Sequence, residues 1–229
     1  MKPATSTIPT HRSPLDRSLR GLLREVRYSV RHCLGRWRAR RVAFQGKRLN
    51  LGCGKYLIPG WINADLYRQA DVMFDIRARW PISDGQLVSV RLEHVLEHVA
   101  YPDEALHVLA ECYRVLTPGG TVRVGVPDTE KAIRAYVEGE DAHYFRMARE
   151  RWHPPEVQLP IEHLNYHFRD RFGEHLFAYD CQSLTLLLSR AGFTGIASAP
   201  FDQTIDRAER EEGTLRLSGT KPLQQEPRQ

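Results

Sequence analysis

The chain of 229 residues is 41% hydrophobic and 27% charged, an ordinary globular composition that excludes a fibrous repeat or a wholly disordered chain. Its net charge of +5 is uneven: residues 1–48 hold 13 Lys/Arg against Asp16 and Glu25, a balance of +11 that leaves −6 for the other 181, so no DNA-binding footprint is expected on the main domain. No apolar run approaches the ~20 residues of a membrane span, the start lacks a secretory signal, and Cys33, Cys53, Cys112 and Cys181 form no C-x-x-C pair, which predicts a cytoplasmic protein without zinc knuckle or disulfide framework.

Residues 1–46 read as a basic arm, with 1–12 a loose tail. Leu15, Leu19, Leu22, Leu23, Val26, Val30, Cys33, Leu34 and Trp37 recur at steps of three and four, the period of an amphipathic helix. Arg17, Arg20, Arg24, Arg27, Arg31 and Arg38 occupy its other faces. Two destinations fit this helix. Its apolar stripe can lie on the domain's own core, the plainer reading. Alternatively, residues 12–41 make a peripheral contact with an anionic membrane or a partner, holding the protein at the inner face of a membrane.

From Lys47 short apolar runs alternate with helical patterns, the signature of an α/β sheet. One domain is expected over 47–222, followed by a disordered tail at 223–229. Strands are predicted at 48–51, 61–64, 72–74, 87–92 and 121–126, with a helix over 103–116. Four of the strands end at polar or glycine-rich segments: Gly52-Cys53-Gly54, Asp65, Asp75, and the run from Glu93 to His98. In an open parallel sheet such carboxyl ends form the ligand crevice.

Gly52 and Gly54 permit backbone geometry closed to other residues and let a ligand approach the main chain. A dinucleotide fingerprint needs a third glycine where Leu57 stands, which argues against a nicotinamide cofactor. Asp65, ending the next strand, can accept both hydrogen bonds of a ribose diol. Asp75, one strand further on, can face an adenine amino group or cap a turn.

Taken together these segments resemble the class I S-adenosylmethionine-dependent methyltransferases. The likeness runs from Leu49-Asn50-Leu51-Gly52-Cys53-Gly54 through Asp65, Asp75, His94-Val95-Leu96-Glu97-His98 and 114–120 to 184–193, about residues 46–222. It implies a Rossmann-like, mostly parallel sheet of seven strands with an antiparallel last strand near 214–218, helices on both faces, and S-adenosyl-L-methionine as cofactor. It also implies roles by position. Gly52, Cys53 and Gly54 surround the methionine part, Asp65 the ribose, Asp75 the adenine, and Glu93 and His94 the sulfonium side, with Leu51, Leu66 and Ile76 also among the cofactor-binding residues.

Only ten residues separate Gly54 from Asp65, and Pro59-Gly60 prevents a full helix between them, so the first crossover must be a loop or single turn. A similarly shortened crossover occurs in a methyltransferase-like subgroup associated with glycan or envelope biosynthesis. The segment from His94 to His98 also satisfies H-x-x-E-H, a zinc-peptidase pattern whose histidines share a helix face. It follows a strand, and no distant acidic helix offers a third ligand. His94, Glu97 and His98, with His163 or His167, can be drawn around a divalent ion, but structural hydrogen bonds of Glu97 and His98 at a helix start are the plainer explanation, and no metal is assigned.

Methyl transfer from a sulfonium needs alignment and, for a hydroxyl or amine, removal of a proton, a task suited to histidine. Residues 128–180 place His143, His153, His163, His167 and His175 among Trp152, Tyr166, Phe168 and Phe172, and read as an acceptor-side lid or a half-buried subdomain. His98 and His175, with His163 behind them, are the predicted bases; Asp128 is sufficiently explained as a turn residue. The expected activity is methyl transfer to an oxygen or nitrogen of a small-molecule or glycan-like acceptor. A methyltransferase-like scaffold without turnover is the alternative and RNA methylation a third reading. The acceptor's identity and the oligomeric state are not legible in the residues.

Overall fold

The computed structural model describes residues 14–67, 69–139, 142–169 and 174–223. The expected tail at 1–12, Phe172, and the chain beyond Leu223 lie outside the described residues. A long helix α1 (Pro14–Ala39) precedes β1 (Lys47–Leu51), β2 (Ile62–Ala64), β3 (Leu87–Glu93), a 3-10 turn (Leu96–His98), α2 (Asp103–Val115) and β4 (Leu116–Pro127). Then come α3 (Thr129–Glu138), α4 (His143–Arg151), α5 (Pro160–Phe168), α6 (Cys181–Arg190), β5 (Thr194–Ser198), a second 3-10 turn (Ala208–Arg210) and β6 (Thr214–Thr220). The sheet order is β2-β1-β3-β4-β6-β5. β6 runs antiparallel to both its neighbours, and the other pairings are parallel.

The sheet has six strands among the described residues, not the seven expected. The segment at 72–74 contributes a single bridge, Val72 to Ala64. The Asp71 carboxylate captures the Asn63 N–H at 2.8 Å, a donor that a longer ladder would have used. As expected, no helix forms between β1 and β2.

Parallel strands covered on both faces read as near-continuous apolar runs. Leu49, Leu51, Leu87, Val90, Leu92, Val122 and Val124 are accordingly all but fully buried. The helices meet them through Ala105, Val108, Leu109 and Cys112 of α2 and Leu184, Leu187 and Leu188 of α6. Each large side chain so enclosed contributes about 1.5–3 kcal/mol. Residues 128–168 form a half-buried helical subdomain with its own cluster, including Ala132, Tyr144, Phe145 and Met147. The Asp128 carboxylate accepts the Lys131 N–H at the start of α3, the turn role read from the sequence.

The arm folds onto the domain, but with the opposite face from the one expected. Glu25, Tyr28, His32, Gly35 and Ala39 recur at helical spacing on the inner side. A Cβ on Gly35 would lie 1.4 Å from the Met73 carbonyl oxygen, so only glycine allows this approach. Arg31 donates to the Leu66 carbonyl at 2.9 Å, and the Asp75 N–H donates to His32 Nδ1 at 3.2 Å. The stripe of Leu19, Leu22, Leu23, Val26, Val30, Leu34 and Trp37 points outward, each residue more than half exposed. A leucine-lined face could not have come as close to the main chain at 73. Among the described residues no helix is long and apolar enough to cross a membrane.

Candidate active site

The chain leaves β1 toward β2 on one side and returns to β3 on the other, so the carboxyl ends of β1 and β3 diverge into a crevice. Gly52 (φ 67°) and Gly54 (φ 51°) turn the chain there, and the Gly52 N–H donates to the Ala64 carbonyl at 2.8 Å. A Cβ on Gly52 would fall 2.2 Å from Val95 Cγ2, while one on Gly54 would enter open space. Asp65 braces the turn: its Oδ2 accepts the Gly54 N–H at 2.8 Å and its Oδ1 the Tyr67 N–H at 2.9 Å.

Gly52, Asp65, Leu66, Asp75, Ile76 and His94, all predicted from the sequence, line one cleft of about 400 Å³. Tyr28, Arg24 and Glu25 of α1 form its outer wall. Cys53, Gly54 and Glu93 line an adjoining recess of about 270 Å³, which shares Gly52 and His94 with the cleft. Leu51 is buried in the core behind the turn and shapes the cleft without lining it.

Two predicted carboxylates are already engaged. Asp75 receives Arg77 through Nε at 3.0 Å and a terminal nitrogen at 2.7 Å. Burial alone would push its carboxyl up, but the Arg77 hydrogen bonds prevail and hold it below the usual range. Its side chain therefore holds Arg77 instead of standing free for an adenine amino group. Glu93 gives one oxygen to Arg91 at 2.6 Å and the other to Arg216 at 3.0 Å. Asp206 joins Arg91, Arg123 and Arg216 in the same buried cluster, so Glu93 anchors the floor and does not present a carboxylate to a sulfonium. Burial, with Asp65 next, pushes the Cys53 thiol up to about 12, which removes it as a nucleophile.

Beyond His94 and His98, which line both spaces, the cleft meets a second cavity of about 400 Å³. Its walls carry Glu97, Tyr166, His167, His175, Arg207 and Arg210. His98 Nδ1 lies 3.0 Å from the Glu174 carbonyl and His175 Nδ1 3.2 Å from the His167 carbonyl. The two rings are 5.1 Å apart between centroids. Burial pushes the Glu97 carboxyl up against the pull of His98. Burial and nearby Arg210 push His94 well down, so it is neutral; its Nε2 meets the Thr214 hydroxyl at 2.9 Å.

His163, the third predicted base, is elsewhere. It is enclosed in the helical subdomain against Phe145 and His153. Its Nε2 accepts the Arg149 N–H at 2.9 Å, so that lone pair is consumed. His94 has φ 55° and lies outside the 3-10 turn at 96–98; it shares no helix face with His98, and the zinc-peptidase geometry is absent. Arg207 and Arg210 were not read from the sequence. They sit in a short turn between the last two strands, and no local pattern ties that turn to a glycine loop 150 residues earlier.

The residues fit an adenosyl sulfonium donor. Bare main chain at 52–54 admits close approach, Asp65 keeps acceptor capacity beyond its two N–H partners, and Leu66, Phe74, Ile76 and Val95 offer apolar walls for a purine.

Over 60 residues the chain is 42% identical to an uncharacterized 37.1 kDa protein in transposon TN4556 of Streptomyces fradiae. That stretch is 26% of this chain and 16% of the relative, so the chain spans about a sixth of the protein it matches. The chain is similar to solved SAM-dependent methyltransferases from Thermotoga maritima (16% identity, 88% of this chain and 96% of that one, TM-score 0.45) and Archaeoglobus fulgidus (14% identity, 82% and 93%, TM-score 0.46). Residues 60–124 match the family described as a methyltransferase domain, the span that supplies Asp65, Asp75 and His94 to the cleft.

Proposed function

We propose that the protein transfers the methyl group of S-adenosylmethionine to an oxygen or nitrogen of a small-molecule or glycan-like acceptor. The observation that carries this reading is the meeting of two cavities at His94 and His98: a donor-sized cleft at the glycine turn opens onto a second space walled by imidazoles and arginines. The donor supplies an already activated methyl group. The protein must hold donor and acceptor in line and manage one proton. Main chain at 52–54 and Asp65 bind the donor's polar parts. His98 and His175 manage the acceptor's proton, and Trp152, Tyr166 and His167 of the 128–180 segment enclose the acceptor. Arg207 and Arg210 favour an acceptor with an anionic group. Release of S-adenosylhomocysteine with a panel of hydroxyl- and amine-bearing acceptors, sugars and sugar acids included, tests the reading. Donor binding without turnover on any of them would leave a scaffold.

A second observation supports a location for this activity. The outward stripe of α1 is flanked by Arg27 and Arg38, the pattern of a helix lying in an anionic bilayer surface. Co-sedimentation with phosphatidylserine vesicles, lost on Leu22→Glu/Val26→Glu, is expected. Equal binding of the variant, or concentration-dependent dimerisation in place of binding, would assign the stripe elsewhere.

A further inference from the structure

We infer that Glu97, His98 and His175 form a binding site for a divalent transition-metal ion of the zinc type, set where donor cleft and acceptor cavity meet. The ion's binding stands on geometry alone; its part in methyl transfer rests on the reading above. One ligand atom from each of the three residues lies within 4.8 Å of the others. They come from two segments that the main chain locks together, for the Leu176 N–H donates to the Glu97 carbonyl at 2.7 Å.

Three features distinguish this cluster from a chance gathering of polar groups. The Glu97 side chain is only 1% exposed, yet apart from its own amide neither oxygen has a hydrogen-bond partner. The neighbouring imidazole nitrogens, His94 Nδ1 and His98 Nε2, stand off at 3.4 and 3.8 Å. A buried carboxylate in that state calls for a cation or a proton. Next, each histidine has its Nδ1 against a main-chain carbonyl, which only accepts. Nδ1 must therefore carry the hydrogen, and the Nε2 lone pair is left for an ion, the outer-shell arrangement that orients metal-bound imidazoles. Finally, two imidazole nitrogens with one carboxylate oxygen suit zinc-like ions better than magnesium or calcium, and three protein ligands leave a position open toward the cavity.

In that position the ion would bind the acceptor through oxygen. A hydroxyl held there loses its proton to solvent near neutral pH. The resulting oxygen forms a bond to the methyl carbon as the carbon–sulfur bond breaks, and sulfonium and alkoxide become neutral sulfide and ether. His98 and His175 would then serve as ligands of the ion in place of bases, and the acceptor narrows to an oxygen nucleophile.

The test uses the full chain, stripped with a chelator and titrated with zinc, with S-adenosylhomocysteine titrated in parallel. One equivalent of zinc at micromolar affinity or tighter is expected. Glu97→Gln and His175→Ala should each weaken it at least tenfold while S-adenosylhomocysteine affinity holds, and His163→Gln should leave it unchanged. Zinc binding equally to Glu97→Gln and His175→Ala, or not at all, overturns the site. Should a variant fail to fold, cobalt(II) added to the unaltered chain decides: an absorption spectrum of imidazole-bound, low-coordinate cobalt supports the site, and that of the aquo ion overturns it. Zinc bound without S-adenosylhomocysteine would sink the methyltransferase reading and spare the site; the reverse would sink only the site.

Discussion

Glu25 of α1 and Arg77 of the cleft rim meet at 2.7 Å, and the same guanidinium holds Asp75 at 2.7 Å. A segment of the basic arm is thereby tied to the wall of the cleft beside the glycine turn. Both partners are substantially exposed, so the pair is worth about 0–1 kcal/mol in water. Glu25→Ala is expected to leave the urea midpoint almost unchanged while speeding tryptic cleavage within α1. Unaltered cleavage would mean that Gly35 and His32 hold the helix without the ion pair.

Gly52→Ala should be far more damaging. It places a Cβ at φ 67° and 2.2 Å from Val95 Cγ2, combining a backbone cost of about 1–2 kcal/mol with a steric overlap at the floor of the cleft. S-adenosylhomocysteine affinity by calorimetry is expected to fall at least tenfold. Adding Val95→Ala relieves the overlap but not the backbone strain, so rescue should be partial.

Asp65→Ala removes the acceptor of the Gly54 N–H and, on the proposed reading, that of the donor's ribose. A loss on the order of 1–3 kcal/mol of donor binding is expected, with Asp65→Asn intermediate because it keeps one acceptor oxygen. Donor affinity that ignores both substitutions would take Asp65 out of the site.

The helical subdomain should make the fold sensitive to mild acid. Burial, before any neighbouring charge, pushes His153 and His163 well below the ordinary histidine value. Above pH ~6.5 both are neutral whether folded or unfolded, and their contribution is fully present. As pH falls below that value the unfolded chain takes up protons that the folded chain refuses, so stability is progressively lost toward the lower folded values. The urea midpoint should decline from pH 7 to 4.5, and His163→Gln should flatten the decline. A profile flat in the unaltered chain would show that the two rings take up protons when folded.

The order of strands and turns was readable because each depends on neighbours in sequence. Leu49, Leu51 and the β3 run announce buried strands by composition, and Gly52, Gly54, Asp65 and His94 mark strand ends that a parallel sheet brings to one edge. The missing seventh strand was not readable, since the segment at 72–74 meets β2 at the single bridge from Val72 to Ala64, and whether a ladder extends from there depends on how the two segments are placed. Likewise, spacing identified both faces of α1, but not which one would meet the domain.

By itself the sequence determined the α/β layout, the glycine turn with its acidic neighbour, and the existence of a basic amphipathic arm, because these follow from local backbone preference and hydrophobic period. Tertiary structure alone decided that Arg77 and the Arg91–Arg216 cluster consume Asp75 and Glu93, that His163 is sealed away, and that His175 comes to stand beside His98 and the bare Glu97 carboxylate. Ion pairing and ligand clustering depend on distances between chain-distant groups. Those distances are fixed only when the sheet and its helices pack, and residue order carries no measure of them.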